Sequence, residues 1–274
     1  GGDLQTLRNQ LLVQQNSEIE QNRDHIEKKN LLLENQKTEI VRQRDQSNQL
    51  LLNILPEEVA KELKENGKAK PQYYDMCTVL FTDFKGFTGI AEALSPTQLV
   101  QELDACFLRF DEIISQYNLE KIKTIGDAYM CAGGIPVSNK TNPVDAVKAG
   151  LAMQEFMDEF NREKRQQGQP IWELRVGVHT GPLIAGVIGK HKFAYDVWGD
   201  TVNLAARMES SGEVGKVNIS GSTHDLVKTH FNCTYRGKIQ AKNKGEMDMY
   251  FVRKRASLFQ GIQNMVTHPV QAAS

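Results

Sequence analysis

At 274 residues with a formal net charge of −1, 40% hydrophobic and 24% charged residues, the chain has the composition of a soluble globular protein with a substantial core. The near-neutral balance excludes a chain that adsorbs nucleic acid or anionic membrane over its whole surface. No apolar run reaches the roughly 18–20 residues of a membrane span, and four scattered cysteines without a C-x-x-C pair point to a reducing, cytoplasmic setting.

Residues 1–55 are poor in glycine and proline and rich in Gln, Asn, Glu, Lys and Arg. Leu12, Ile19, Ile26, Leu33, Ile40 and Ile54 fall on one heptad repeat, interrupted by Ser47, as one side of a coiled-coil seam does. The other core position is polar: Gln15/Asn16, Asn22/Arg23, Lys29/Asn30, Gln36/Lys37. The pattern predicts a parallel dimerising helix whose weak seam permits more than one register, as suits a signalling coil. A chain that starts inside a helical repeat suggests a cut from a longer protein, with an upstream sensor. Residues 56–72 read as a connector. In it "PEEVAKELKENGK" predicts a short amphipathic helix, begun by Pro56 and stopped by Gly67.

From residue 73 to 255 strand patterns alternate with helical ones. The strand-like runs are "MCTVLFTDF", "LEKIKTI", "AYMCAGGI", "LRVGVHTG", "FAYDVWG", "KVNIS" and "DMYFVRK". Three long helical patterns lie between them. The first, "SPTQLVQELDACFLRFDEIISQY", opens with Ser95 as N-cap, Pro96 at the first position and Gln98 closing a capping box. The others are "NPVDAVKAGLAMQEFMDEFNREKRQQG" and "GDTVNLAARMESSG". Helices mixed with a central sheet follow. Residues 256–274 show no periodicity and read as a flexible tail.

Two acids stand out. Asp83 and Asp127 each lie at or just past the end of an apolar strand, close to a glycine. If those strands are neighbours, both carboxylates leave the same edge of the sheet, and two acids that close repel unless a cation is shared. Oxygen-only ligation with few protein ligands suits Mg²⁺ or Mn²⁺ when a nucleotide supplies the remaining oxygens. Spacing alone is equally compatible with two unrelated turn aspartates. The chain has no G-x-x-x-x-G-K-[ST] loop and no obvious Ser/His/Asp or Cys/His set.

"VLFTDFKGFT", "KIKTIGDAYMCAGGIP", "RVGVHTGPLIAGVIG" and "FAYDVWGDTVNLAARMES", in that order, resemble the catalytic domain of the class III nucleotidyl cyclases, the adenylyl and guanylyl cyclases. The resemblance covers residues 73–255, and "LPEEVAKEL" is similar to the helix that joins such domains to upstream coiled coils. It implies an α+β fold with a ferredoxin-like βαββαβ core plus additions, working as a head-to-tail homodimer with active sites between the subunits. It further implies that Asp83 and Asp127, with the backbone carbonyl of Phe84, hold two Mg²⁺ (or Mn²⁺) ions per site. One ion would acidify the ribose 3′-hydroxyl and the other would neutralise the triphosphate. Asn203 and Arg207, four apart on one helix face, would orient the ribose and stabilise charge on the α-phosphate. The family's phosphate-binding lysine falls on Lys242, with Lys244 as a rival.

The base is read at two positions. Adenine offers an acceptor at N1 and a donor at its 6-amino group, so one cationic donor and one acceptor complement it. By the resemblance those positions are Lys123 and Asp196, where guanylyl cyclases carry an acid and typically a cysteine. The expectation is therefore conversion of ATP to 3′,5′-cyclic AMP and pyrophosphate. The alternatives are a guanylyl or relaxed-specificity cyclase and a catalytically silent nucleotide-binding dimer. No nucleic-acid partner is expected, because no long basic groove is evident. Gly181, Gly186 and Gly189 are expected to let a hairpin turn tightly near the dimer face. His179 reads as a hydrogen-bonded structural residue, and His191 as exposed.

Overall fold

The computed structural model describes residues 2–189, 192–241 and 245–255. Lys242, Lys244, His191 and the 256–274 tail lie outside the described residues. The chain divides into two compact units, 1–55 and 56–274. The first is one helix, α1 (Gly2–Leu52), with no buried residue. Its heptad positions face solvent in the single chain, from Leu12 at 49% exposure to Ile40 at 65%. Local pairs such as Glu39–Arg42, at 2.8 Å, supply the support that a helix polar on most sides needs. Among the described residues no helix is long and apolar enough to cross a membrane.

The second unit opens with α2 (Glu57–Asn66), which follows Pro56 and ends on Gly67 in the left-handed conformation at φ 71°. Then come β1 (Gln72–Lys85), α3 (Phe87–Ala93), α4 (Pro96–Gln116), β2 (Leu119–Ile125), β3 (Ala128–Gly133), α5 (Asn142–Gln166) and β4 (Glu173–Ile188). They are followed by β5 (Ala194–Trp198), α6 (Asp200–Ser210), β6 (Val217–Ser220), α7 (Gly221–Val227), β7 (Asn232–Ala241) and β8 (Gly245–Arg253). The strands form one sheet in the order β2-β3-β1-β4-β6-β8-β7, with β5 paired to the far end of β4. Its β2-β3-β1-β4 part is antiparallel and, with α4 and α5, makes the ferredoxin-like core. The Ser95–Gln98 capping box is present at the start of α4.

Alternation along the strands decides which face each residue serves. Leu80 and Phe84 on β1, with Leu174, Val176 and Val178 on β4, join Phe110, Met153, Met157 and Trp172 in the main core. The intervening residues, Asp83, Arg175 and Gly177 among them, point to the other face, where α6 lies. That helix sits so close that a Cβ on Gly177 would be 1.9 Å from the Glu209 nitrogen. At Gly181 it would be 2.5 Å from Thr201 Oγ1. Of the three glycines expected at a tight hairpin, Gly189 does turn the chain, at φ 105°. Gly181 instead makes room for α6, and Gly186 for Pro71. His179 is buried with Nδ1 2.7 Å from Ser220 Oγ, as a structural histidine would be.

Candidate active site

Asp83, on the α6 side of β1, stands opposite Arg175 of β4 in the strand register. Arg175 Nη2 donates to Asp83 Oδ2 at 3.0 Å. The same guanidinium reaches α6, where its Nε lies 2.9 Å from Glu209 Oε1. That second approach is an ion pair without hydrogen-bond alignment, so both atoms are buried with no hydrogen-bond partner. Asp127 sits in the turn between β2 and β3, shaped by Gly126 at φ 62°. Its Oδ2 accepts the Phe84 N–H at 3.3 Å. The Phe84 ring is buried edge-on against Trp172, centroids 5.0 Å apart, which pins the backbone between the two acids.

The electrostatics of this corner are under-compensated. Burial pushes the Asp127 carboxyl above the usual carboxylate range, and the neighbouring charge of Asp83 adds to it. Burial also pushes Glu209 up to about 7, against the pull of Arg175 and with Asp83 and Asp127 adding. Two carboxylates, Asp83 and Glu209, thus share one guanidinium, and Asp127 stands beside them without a cationic partner of its own among the described residues. Hard oxygen donors with surplus negative charge fit a divalent cation of the Mg²⁺ or Mn²⁺ kind. Among the described residues no group of three or more His, Cys, Asp or Glu is arranged as a metal cage. A cation here would therefore take further oxygens from nucleotide or water.

Lys123 on β2 and Asp196 on β5 are far apart in sequence and meet at 2.7 Å, Nζ to Oδ2. The Val197 N–H donates to the other carboxylate oxygen of Asp196 at 2.8 Å and fixes its direction. The lysine is 43% exposed, so the pair itself adds little stability. What it offers is one donor and one acceptor held side by side.

Asn203 and Arg207 share the exposed face of α6. Arg207 Nη1 donates to the Gln240 carbonyl at 2.7 Å. Arg207 and Glu209 are two residues apart, about 200° around the helix. The helix therefore turns Glu209 toward its own chain's Asp83 and Arg207 away from it. The structure brings Asp83 and Asp127 together, and Lys123 and Asp196 together, but does not bring Arg207 to the aspartates of the same chain.

Sequence reasoning missed Arg175 and Glu209. The available signal was a cation inside the apolar strand "LRVGVHTG", yet its partners follow from strand register and helix docking, which no local pattern shows.

Residues 69–254 match the family described as the adenylate and guanylate cyclase catalytic domain. The chain is 41% identical over 204 residues to guanylate cyclase soluble subunit beta-2 of Rattus norvegicus, covering 74% of this chain and 30% of that protein. It is 39% identical over 209 residues to an adenylate cyclase of Mycobacterium bovis, covering 76% of this chain and 46% of that protein. It thus spans less than half the length of either relative. Among solved structures it is similar to the adenylyl cyclase CyaB from P. aeruginosa, with a TM-score of 0.65 and 31% identity, covering 68% of this chain and 97% of that one.

Proposed function

The chain belongs to the adenylate and guanylate cyclase catalytic-domain family, and from that premise we propose that it is an adenylyl cyclase. It would convert ATP to 3′,5′-cyclic AMP and pyrophosphate as a homodimer. The observation that carries the choice of nucleotide is the Lys123–Asp196 pair. Lys123 would donate to adenine N1, and Asp196 would accept from the 6-amino group. Guanine in the same pose sets its N1–H against the ammonium and O6 against the carboxylate. Each mispaired contact costs about 1–3 kcal/mol, or roughly one to two orders of magnitude in selectivity. Relatives of both specificities are similarly close, so GTP is the second reading.

Two observations support a dimer with shared sites. The first is the split of α6, whose inner face serves its own Asp83 and whose outer face carries Asn203 and Arg207. The second is the β4–β5 arm. Ile184, Ile188 and Trp198 are 42%, 51% and 39% exposed, on the same side as Asp196 by strand register. An apolar strip around a base-reading acid is a surface for a second copy to cover. The heptads of α1 would continue that dimer upstream as a parallel coiled coil, followed by the 56–72 connector and the 73–255 catalytic domain.

In this reading Asp83 and Asp127, with the Phe84 carbonyl, hold the cations. When bound, two Mg²⁺ or Mn²⁺ ions would acidify the ribose 3′-hydroxyl and neutralise the triphosphate and the leaving pyrophosphate. Arg175, shared between Asp83 and Glu209, adds positive charge beside the triphosphate. Asn203 of the second copy orients the ribose, and its Arg207 stabilises charge developing at the α-phosphate. The phosphate lysine stays with Lys242, or with its rival Lys244.

Product analysis with ATP and GTP, in Mg²⁺ and in Mn²⁺, tests the reading. Cyclic AMP should dominate, and cyclic GMP formed at a comparable rate would refute the assignment of the base. Asp83→Ala and Asp127→Ala should each abolish turnover while the chains stay folded and dimeric. Metal-dependent activity retained in either variant would sink the cation site.

A further inference from the structure

Glu209 is an acid that neither the base-reading pair nor the outer face of α6 uses. It is 8% exposed, and its cationic partner is Arg175 at 2.9 Å. Keeping a carboxylate in such a place costs solvation unless a cation compensates it. That cation is also engaged by Asp83, at 3.0 Å.

The backbone around Glu209 is fixed more firmly than the guanidinium is. Its nitrogen and Cα pack where a Cβ on Gly177 would go. Asn218 Nδ2 pins the same turn by donating to the Met208 carbonyl at 2.8 Å. Arg175, by contrast, is a long side chain whose planar fork can turn toward either acid. Its Nη2 now serves Asp83 while its Nε is drawn toward α6. The Nε–Nη2 edge of the fork is thus split between two acids instead of closing with two parallel hydrogen bonds on Asp83, the arrangement that guanidinium–carboxylate pairs otherwise favour.

We infer that Glu209 is a positioning residue that holds the Arg175 guanidinium partly off Asp83, leaving that carboxylate able to take a divalent cation. The inference rests on Asp83 and Asp127 being the cation ligands. Without the Glu209 charge, Arg175 closes on Asp83 and competes with the metal. The rival role for Glu209 is purely architectural, an ion pair that cements α6 to the sheet.

The test is binding of Mn²⁺ in the presence of 3′-deoxy-ATP, which cannot cyclise, read from the electron paramagnetic resonance signal of free Mn²⁺. Glu209→Gln, assayed at about pH 8.5, keeps the shape and removes the charge. It should weaken Mn²⁺ binding about ten-fold, the size of one charge-assisted partner. With ATP, the loss of rate should be larger at low Mn²⁺ than at saturating Mn²⁺. Glu209→Asp, which keeps the charge, should restore most of the affinity. In an Arg175→Met background, Glu209→Gln should weaken Mn²⁺ no further. Unchanged affinity in Glu209→Gln would overturn the inference, as would an equal loss in the Arg175→Met background, which would mean a field effect alone. A fall in kcat with affinity intact would assign Glu209 to the architecture of α6. Wild-type binding that survives Asp127→Ala would overturn the cation site itself, a result distinct from all of these.

Discussion

Alanine at position 177 tests how α6 meets the sheet. A Cβ there would lie 1.9 Å from the Glu209 nitrogen, 2.4 Å from its Cα and 2.5 Å from the Met208 carbonyl carbon. All three are helix backbone, so no rotamer change relieves the clash. Gly177 is paired with β1 on one side and β6 on the other, so the strand has little freedom to retreat. Ordinary contact begins near about 3.5 Å, so the helix must back away by roughly 1.5 Å. That movement pulls Met208 from Asn218 and Glu209 from Arg175. Overpacking of this kind costs about 1–3 kcal/mol, and a buried hydrogen bond broken with its partners left unsatisfied adds about 1–3 more. The sum is roughly 2–6 kcal/mol of stability. The same shift displaces Asn203 and Arg207, and if they are catalytic as proposed, a misplacement of about 1 Å would cost on the order of a hundred-fold in rate. Urea unfolding and the rate of cyclic AMP formation, at a temperature where the variant is still folded, read the two effects separately. Gly181→Ala is the internal comparison, because its nearest neighbour is a side-chain hydroxyl at 2.5 Å and should cause the smaller loss. A Gly177→Ala chain within about 0.5 kcal/mol of wild type, with full activity, would refute the close docking of α6.

Glu120 on β2 should make stability depend on pH. Burial pushes its carboxyl up to about 7, with the charge of Glu58 adding. A group raised above its unfolded value favours the folded state most at low pH, and that advantage is lost as pH rises through about 7. Glu120→Gln mimics the protonated acid, so it should stabilise by about 1–2 kcal/mol at pH 8, allowing for partial exposure, and by almost nothing near pH 4.5. A gain equal at both pH values in thermal melts would contradict this. Lys123→Glu combined with Asp196→Cys should shift preference from ATP toward GTP by at least about ten-fold in kcat/KM. No shift in that ratio would remove the base-reading assignment. Mixing inactive Asp127→Ala and Arg207→Ala chains should restore about a quarter of wild-type activity, since half of randomly paired dimers then carry one intact site. Recovery no greater than the sum of the two variants would mean that each chain builds its site alone.

Local grammar made much of the fold legible. Ser95, Pro96 and Gln98 announce the start of α4, and Pro56 and Gly67 bracket α2, because caps and breakers act within a few residues of themselves. β1 reads as a strand because both of its faces are buried. Strand β7 escaped notice because "NCTYRGKIQA" is largely polar, as befits a strand at the end of the sheet order, paired among the described residues with β8 alone. Helices α3 and α7, at seven residues each, are too short to show a period. At the candidate site, the meetings of Asp83 with Asp127 and of Lys123 with Asp196 were legible through their motifs. The Arg175 bridge was not, because it depends on Asp83 and Arg175 standing opposite each other across two strands distant in sequence. Gly177 was overlooked for the same reason: its need for a hydrogen in place of a methyl is set by a helix more than 20 residues downstream.

The two faces of α6 give the chain its economy. A helix that touched only the corner around Asp83 could keep Arg175 in place but would contribute nothing to a neighbouring site. One that carried only Asn203 and Arg207 would need some other anchor on the sheet. Placing Glu209 about 200° from Arg207 on the same short helix serves both needs. The inner face seats the helix on Gly177, and Asn218 holds the Met208 carbonyl, so the outer face is held as rigidly as the central strands beneath it. If Arg207 serves a second copy as proposed, it would need that rigidity, because its own hydrogen bond, to the Gln240 carbonyl, is made at the protein surface. In the proposed homodimer, precision at one site would then be inherited from the architecture of the other, and both would be built from one set of contacts.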